Sequence, residues 1–261
     1  MTALLRAQGV GKAFGGVQAL ADCTVEVLPG SITGLIGPNG SGKTTLFNVI
    51  TGHERPDCGE VFFNDRKITG ASPQQVFAAG IGRTFQLTRI FPRLTVLENM
   101  LVASQHIGAR SRRIRNPLAR AGGAADRHRA MELLEFTGIV GHAGALADTL
   151  SYGQRKLLEL SYVLVADPAV MLLDEPTGGV NPSLIKLISA RIKELNAAGK
   201  TFLIVEHNMD FVMGLCQSVT VLDSGTVVAS GPPKQIRDDP KVLDAYLGSA
   251  EDDDEQAAAD G

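Results

Sequence analysis

Residues Gly37-Pro38-Asn39-Gly40-Ser41-Gly42-Lys43-Thr44 spell a complete G-x-x-x-x-G-K-T phosphate loop. Its flanks constrain the chain more than the pattern does. The apolar run from Ser31 to Ile36 reads as a buried strand, and Lys43 to Asn48 begin a helix. A strand that turns through glycines into a helix points consecutive backbone N–H groups at an anion, with the positive end of the helix behind them. Lys43 adds a point charge, and the Thr44 hydroxyl is placed to ligate Mg²⁺. These residues predict an α/β core that grips a polyphosphate.

Composition narrows the setting. A chain of 261 residues is long enough for one α/β domain carrying an inserted lobe. Cys23, Cys58 and Cys216 are widely separated, odd in number and in no metal-ligand spacing, which indicates neither a disulfide framework nor a zinc site and fits a reducing cytosol. No basic-then-apolar leader opens the sequence, and charge, Gly or Pro breaks every apolar stretch well short of roughly 18 residues, so no membrane span is expected. The net charge of −3 hides an asymmetry, because Glu251, Asp252, Asp253, Asp254, Glu255 and Asp260 leave the rest of the chain at about +3. This acidic tail, 249–261, reads as a disordered, solvated end. Opposite in sign, Arg110, Arg112, Arg113, Arg115, Arg120, Arg127 and Arg129 could meet anionic headgroups or nucleic acid. No aromatic is interleaved for base stacking, and a solvated helix and loop suits the run.

Along the chain, Leu4–Val10 and Leu20–Leu28 are partly alternating segments around the Gly15-Gly16 turn and predict an antiparallel pair. Glu60–Phe63 reads as a short strand. Ser72-Pro73 opens a short helix running to Gly80. Helical spacing marks Leu94 to about Gln105 and Asp126–Thr137, and the middle of the chain, about 90 to 165, shows no convincing strand. Strand signals return at Ala169–Leu173, Thr201–Val205, Val219–Leu222 and Thr226–Ala229, with helices between the first two and over Asn208–Leu215. Asp223-Ser224-Gly225 marks a hairpin. Alternating strands and helices predict a mainly parallel sheet covered on both faces, with a helical lobe inserted.

Val170–Leu173 leads into Asp174 and Glu175 and is stopped by Pro176. Successive strand side chains point to opposite faces, so the two acids are expected to divide the work: Asp174 in the Mg²⁺ shell, Glu175 orienting or deprotonating a water. At Leu150-Ser151-Tyr152-Gly153-Gln154, Ser151 can cap a helix continuing through Lys156, Leu160 and Leu164, whose free N–H groups would attract negative charge. From the residues alone this is a helix cap.

Phosphate loop, Leu150–Gln154, Asp174-Glu175 and a later His207 occur in the order and approximate spacing of an ATP-binding-cassette (ABC) ATPase, and the resemblance runs from about residue 4 to 248. It implies a P-loop NTPase core with an N-terminal antiparallel β subdomain and an inserted helical subdomain: core 1–89 and 166–248, helical part about 90–165, in one domain 1–248. It implies ATP and Mg²⁺ as ligands, with Gly37, Pro38, Asn39, Gly40, Ser41, Gly42, Lys43, Thr44 and Thr45 around the phosphates. Phe14 would stack on adenine, Gln86 would sense Mg²⁺ and the γ-phosphate, and His207 would contact the γ-phosphate. Taken singly, Phe14 reads as a core ring, Gln86 as a loop amide and His207 as a strand-end histidine. Ser151, Gly153 and Gln154 would meet the nucleotide held by a second ABC ATPase subunit, a copy of this chain or a paralogue. Asn181, after Gly178-Gly179-Val180, departs from the aspartate many members carry in a loop that couples the two sites.

Local wording refines the subclass. Gly82-Arg83-Thr84-Phe85-Gln86, the stretch Ile90 to Asn99, Glu206-His207-Asn208-Met209 and Ile236 to Gly248 look like the ATP-binding subunit of a branched-chain amino acid importer; relatives serving urea or short amides share much of it. The resemblance implies a cytoplasmic subunit, peripheral on the inner face of the membrane, working with integral-membrane permease subunits and indirectly with an external solute-binding protein. The segment from Gln86 to about Leu97 would accept a permease helix. Two other readings remain at this point: the cassette of an exporter or lipid-extraction system, and a soluble cassette ATPase acting on nucleic acid or ribosomes. The latter is disfavoured by a single cassette without heptads, and no nucleic acid is expected.

Overall fold

Gly15 and Gly16 reverse the chain at φ of 52° and 92°. On either side, β1 (Leu5–Phe14) and β2 (Val17–Val27) pair antiparallel from Phe14↔Val17 at the turn to Leu5↔Val27 at the far end. Two consecutive positive φ values give the turn whose twist matches that of paired strands. The hairpin is longer than the apolar alternation suggests, because Lys12 pairs with Leu20 and Gln18 with Ala13, across shifts of register, although their polarity interrupts the pattern. The computed structural model describes residues 2–84, 90–104 and 123–246.

After β2 the chain enters β3 (Ile32–Ile36), buried at every residue, and passes through the phosphate loop into α1 (Lys43–Ile50). β4 (Cys58–Phe63) and the two-residue β5 (Arg66–Lys67) complete a four-stranded sheet in the order β2-β1-β4-β5. α2 (Pro73–Ala79) follows. These residues up to Val76, with those from Asn196 onward, make one compact unit, and Phe77–Leu195 make a second.

In the second unit, β6 (Ile81–Arg83) pairs parallel with β7 (Val170–Asp174) from Ile81↔Val170 to Arg83↔Leu172. Between them lie a helical run over 96–104 (α3), α4 (Ala124–Thr137) and α5 (Tyr152–Leu164). α3 starts after Leu94 because Thr95 is its cap: Glu98 Oε2 accepts from the Thr95 backbone N–H at 2.7 Å, and Thr95 Oγ1 accepts from Glu98 N at 3.2 Å. That backbone N–H, then the Thr95 hydroxyl, hold the Glu98 carboxyl below its ordinary range. α4 and α5 bury Leu134 and Leu158 respectively and meet at a buried Thr137–Ser161 hydroxyl pair at 2.8 Å. α6 (Pro182–Ala197) follows β7, with Asn181 Oδ1 accepting from Leu184 N at 3.0 Å as its cap.

The first unit resumes with β8 (Thr201–Val205), α7 (Met209–Leu215), β9 (Ser218–Asp223), β10 (Thr226–Gly231) and α8 (Pro233–Arg237). Here the strand order is β10-β9-β3-β8, with β3 parallel to β8 and β9 and an antiparallel β9–β10 hairpin at Asp223–Thr226. β3 and β8 are mostly apolar and buried at every position, as parallel strands covered on both faces require. Burial pushes the Cys23 and Cys216 thiols up to about 12, which makes them inert packing groups. Among the described residues no helix is long and apolar enough to cross a membrane. The Arg110–Arg129 run lies mostly, and the acidic tail wholly, outside the described residues.

Candidate active site

The phosphate loop leaves β3 at its C-terminal end and is shaped by close approach. A Cβ on Gly37 would stand 2.0 Å from Leu222 O, and one on Gly42, at φ 101°, 2.4 Å from Ala19 O. The loop is therefore wedged between β9 and β2, and a side chain at either position would push it out of place. The β9–β10 turn fastens it: Gly225 N donates to Ser41 O at 3.1 Å while Gly225 O accepts from Ala21 N at 2.9 Å. Lys43 is buried, and its ammonium donates to Gly37 O (2.9 Å), Pro38 O (2.6 Å) and Ser41 Oγ (3.3 Å), so it sits inside the ring of backbone it belongs to. Gly42 caps α1 without a side-chain hydrogen bond, which leaves the first N–H groups of the helix for an anion. Thr44 is exposed and Thr45 half-buried at that helix start.

β8 runs parallel to β3 with Leu35 opposite Val205, so the residues following both strands emerge at one edge, where α/β sheets bind ligands. Glu206 is buried there, and its Oε2 accepts from the backbone of His207 (3.1 Å) and Asn208 (3.3 Å). Asn208 Oδ1 in turn accepts from Phe211 N at 3.1 Å and caps α7. His207 is exposed on this fixed turn. Phe14 is not the core ring that it reads as in isolation: it is 44% exposed at the end of the β1–β2 hairpin, with Lys12 Nζ 5.1 Å from the ring centroid.

The second unit carries the acids and the serine-capped helix. Asp174 ends β7, almost fully buried, and its Oδ2 accepts from Arg83 Nη2 at 2.9 Å, an ion pair with side chains 8% and 3% exposed. Asp174 N also donates to Thr84 Oγ1 at 3.2 Å, so the end of β6 fixes both the carboxylate and its backbone. Glu175 is not a strand residue, which corrects the alternation argument. It lies just beyond β7 with φ 46°, a left-handed conformation that a non-glycine residue adopts at a cost, and this turn rather than the strand's pleat separates its direction from that of Asp174.

Ser151 caps α5 in a reciprocal box: Ser151 Oγ accepts from Gln154 N (3.3 Å) and Gln154 Oε1 accepts from Ser151 N (2.9 Å). Gly153 has a packing reason of its own, since a Cβ there would stand 2.1 Å from Leu184 Cδ2 of α6. Phosphate loop, Phe14 and His207 thus belong to the first unit, and Ser151, Gly153, Gln154, Asp174 and Glu175 to the second. Gln86 lies outside the described residues.

Residues 20–178 match the model of the ABC transporter family. The chain belongs to the ABC transporter family. As an ABC ATPase it is 39% identical over 251 residues, 95% of this chain and 98% of the relative, to the high-affinity branched-chain amino acid transport ATP-binding protein LivG of Escherichia coli K12. Its fold is similar to the crystal structure of an ABC transporter cassette in its ADP conformation, with a TM-score of 0.84, 36% identity, and coverage of 95% of this chain and 100% of the other. It is also similar to a dimeric cassette in a post-hydrolysis state bound to ADP and Pi (TM-score 0.76, 25% identity, 88% and 98% covered). Residues 226–252 match a second model, described as a branched-chain amino acid ATP-binding cassette transporter.

Sequence reasoning quoted Arg83 and Glu206 of this ABC ATPase only as part of longer stretches and gave neither a role. Each is a charged group at the end of a buried strand: Arg83 closes the three-residue β6, too short for periodicity, and Glu206 follows the apolar β8 directly. A lone charge abutting an apolar run needs a partner, and that was the available signal.

Proposed function

We propose that this chain is the ATP-hydrolysing subunit of an importer for branched-chain amino acids or a related small polar solute. The observation that carries the solute class is the match of residues 226–252. That segment holds none of the phosphate-loop, serine-cap or carboxylate residues, so its likeness bears on subclass and not on ATP chemistry alone. The LivG relative is named for the same transport.

In this reading residues 37–45 cradle the phosphates, Lys43 turns its ammonium from the loop carbonyls toward them, and Phe14 presents an exposed ring to the base. Thr44 and Asp174 would hold Mg²⁺, a hard cation that takes oxygen donors and shares them with substrate phosphates; among the described residues no cluster of three or more His, Cys, Asp or Glu could cage a metal alone. Asp174 would serve the metal with its carboxylate already held by the Arg83 ion pair. Mg²⁺ would neutralise charge on the phosphates. Glu175 takes the proton of the attacking water, while Lys43 and His207 stabilise the transferring group.

Ser151 and Gly153 of a second ATPase chain, a copy or a paralogue, would complete the site, a pairing supported by the dimeric relative bound to ADP and Pi. The subunit would sit on the cytoplasmic face through the permease, and indirectly serve an external binding protein. Phe91 and Leu146, 45% and 44% exposed, suit the docking of a permease helix. Asn99, fully buried, fixes the Phe91 turn: its Oδ1 accepts from Phe91 N at 2.7 Å and its Nδ2 donates to Phe91 O at 3.1 Å and Thr95 O at 2.9 Å. Affinity isolation from native membranes tests the proposal. It expects a polytopic permease, and solute uptake by the reconstituted complex that competes with leucine; capture of ribosomes or RNA without a permease overturns it.

A further inference from the structure

We infer that His142 is a positioning residue for the serine-capped helix, acting through Gln154. The inference rests on the proposed role of Ser151 toward nucleotide on a partner chain. The amide of Gln154 has only one orientation. Its Oε1 accepts the Ser151 backbone N–H at 2.9 Å, and exchanging oxygen and nitrogen would set an NH₂ against that N–H. The NH₂ therefore faces outward, where its nitrogen lies 2.9 Å from His142 Nε2. An amide nitrogen does not accept, so Gln154 donates, and the imidazole must present an Nε2 lone pair and carry its proton on Nδ1.

The relay His142 Nε2 ← Gln154 Nε2, Gln154 Oε1 ← Ser151 N joins two elements. His142 closes the short 3₁₀ turn Val140–His142 that follows α4, and Ser151 opens α5. The turn is itself pinned, with His142 N donating to Ile139 O at 2.9 Å and Ala145 N to His142 O at 2.9 Å. Without an acceptor at 142 the Gln154 amide is held on one side only, and the capping geometry of Ser151 loses its outer support. Gln154 is thereby committed to orienting Ser151, and His142 specifies that orientation without touching the nucleotide.

The test uses the full chain with Glu175→Gln to retain ATP, and reads two quantities: nucleotide affinity of the monomer, and the ATP concentration at which dimer forms, by sedimentation. His142→Phe keeps a ring and removes the acceptor; His142→Lys can only donate; His142→Gln restores an acceptor. One hydrogen bond of ordinary strength corresponds to about a fivefold change. Phe and Lys are expected to raise the dimerisation midpoint about fivefold with monomer affinity unchanged, and Gln to return it to within about twofold of the parent. Unchanged midpoints for Phe and Lys, or a Gln variant as weak as Phe, overturn the inference. Ser151→Ala separates the two layers: if it weakens dimerisation while the His142 series does not, only the inference falls, and if Ser151→Ala also has no effect, the reading of the capped helix falls with it.

Discussion

Lys43 keeps its ammonium against Gly37 O, Pro38 O and Ser41 Oγ, so replacing it strips the loop of its internal fastening and, in the proposed function, of the charge that meets the phosphates. Lys43→Ala is expected to weaken ATP binding by well over about tenfold, since a charge-assisted contact is worth about 1.5–3 kcal/mol. Titration with a fluorescent nucleotide checks this, and near-parental affinity would remove Lys43 from the site. Arg83 and Asp174 pose a different problem, because their ion pair is buried on both sides. Arg83→Met leaves a buried carboxylate uncompensated and is expected to cost about 3–5 kcal/mol in urea unfolding. Adding Asp174→Asn should restore much of that, so the double-mutant cycle is strongly non-additive. Additive losses would show that the pair is not coupled. The motif residues were legible because their chemistry requires a fixed spacing within one short segment. Arg83 was not, since its partner lies far along the chain and only the β6–β7 pairing brings the two together.

The elements show the same division. The apolar five-residue runs of β7 and β8 announce themselves, whereas β5 and β6, of two and three residues, exist only through their neighbours. The start of α3 was misplaced because a threonine–glutamate cap, not the first leucine of the periodic pattern, decides where helical hydrogen bonding begins. Packing between elements is the least legible of all. A Cβ at Gly34, in the middle of β3, would lie 3.0 Å from Val212 Cγ1 and 3.2 Å from Cys216 Sγ. Strand β3 and α7 therefore approach so closely that a side chain at this position requires Val212 and Cys216 to give way. Gly34→Ala should force α7 outward at a cost of about 1–3 kcal/mol. α7 opens at Asn208, next to His207, so thermal unfolding and ATP turnover should fall together. Loss of stability with parental turnover would mean that the displacement stops short of the His207 turn.

At the scale of the whole molecule the proposed function requires a subunit that hydrolyses ATP and a surface that passes the consequence to a permease, and these are separable. Phe91 is exposed on a turn whose backbone N–H and carbonyl are held by the buried Asn99 side-chain amide, so changing the ring alters the surface without disturbing the fold. Substitutions at such positions ordinarily move stability by no more than about 0.5 kcal/mol. Phe91→Asp puts a charge where an apolar helix would dock, and burying an unpaired carboxylate there is strongly unfavourable. ATPase of the isolated subunit should stay within about twofold of the parent. In membranes reconstituted with permease and binding protein, solute uptake should fall by at least about tenfold, and so should the extra ATPase that solute elicits, because a desolvated, unpaired charge easily exceeds the roughly 1.4 kcal/mol that a tenfold change represents. Equal losses of isolated and coupled ATPase would place Phe91 in the chemistry. Undiminished transport would place the permease on some other face of the subunit.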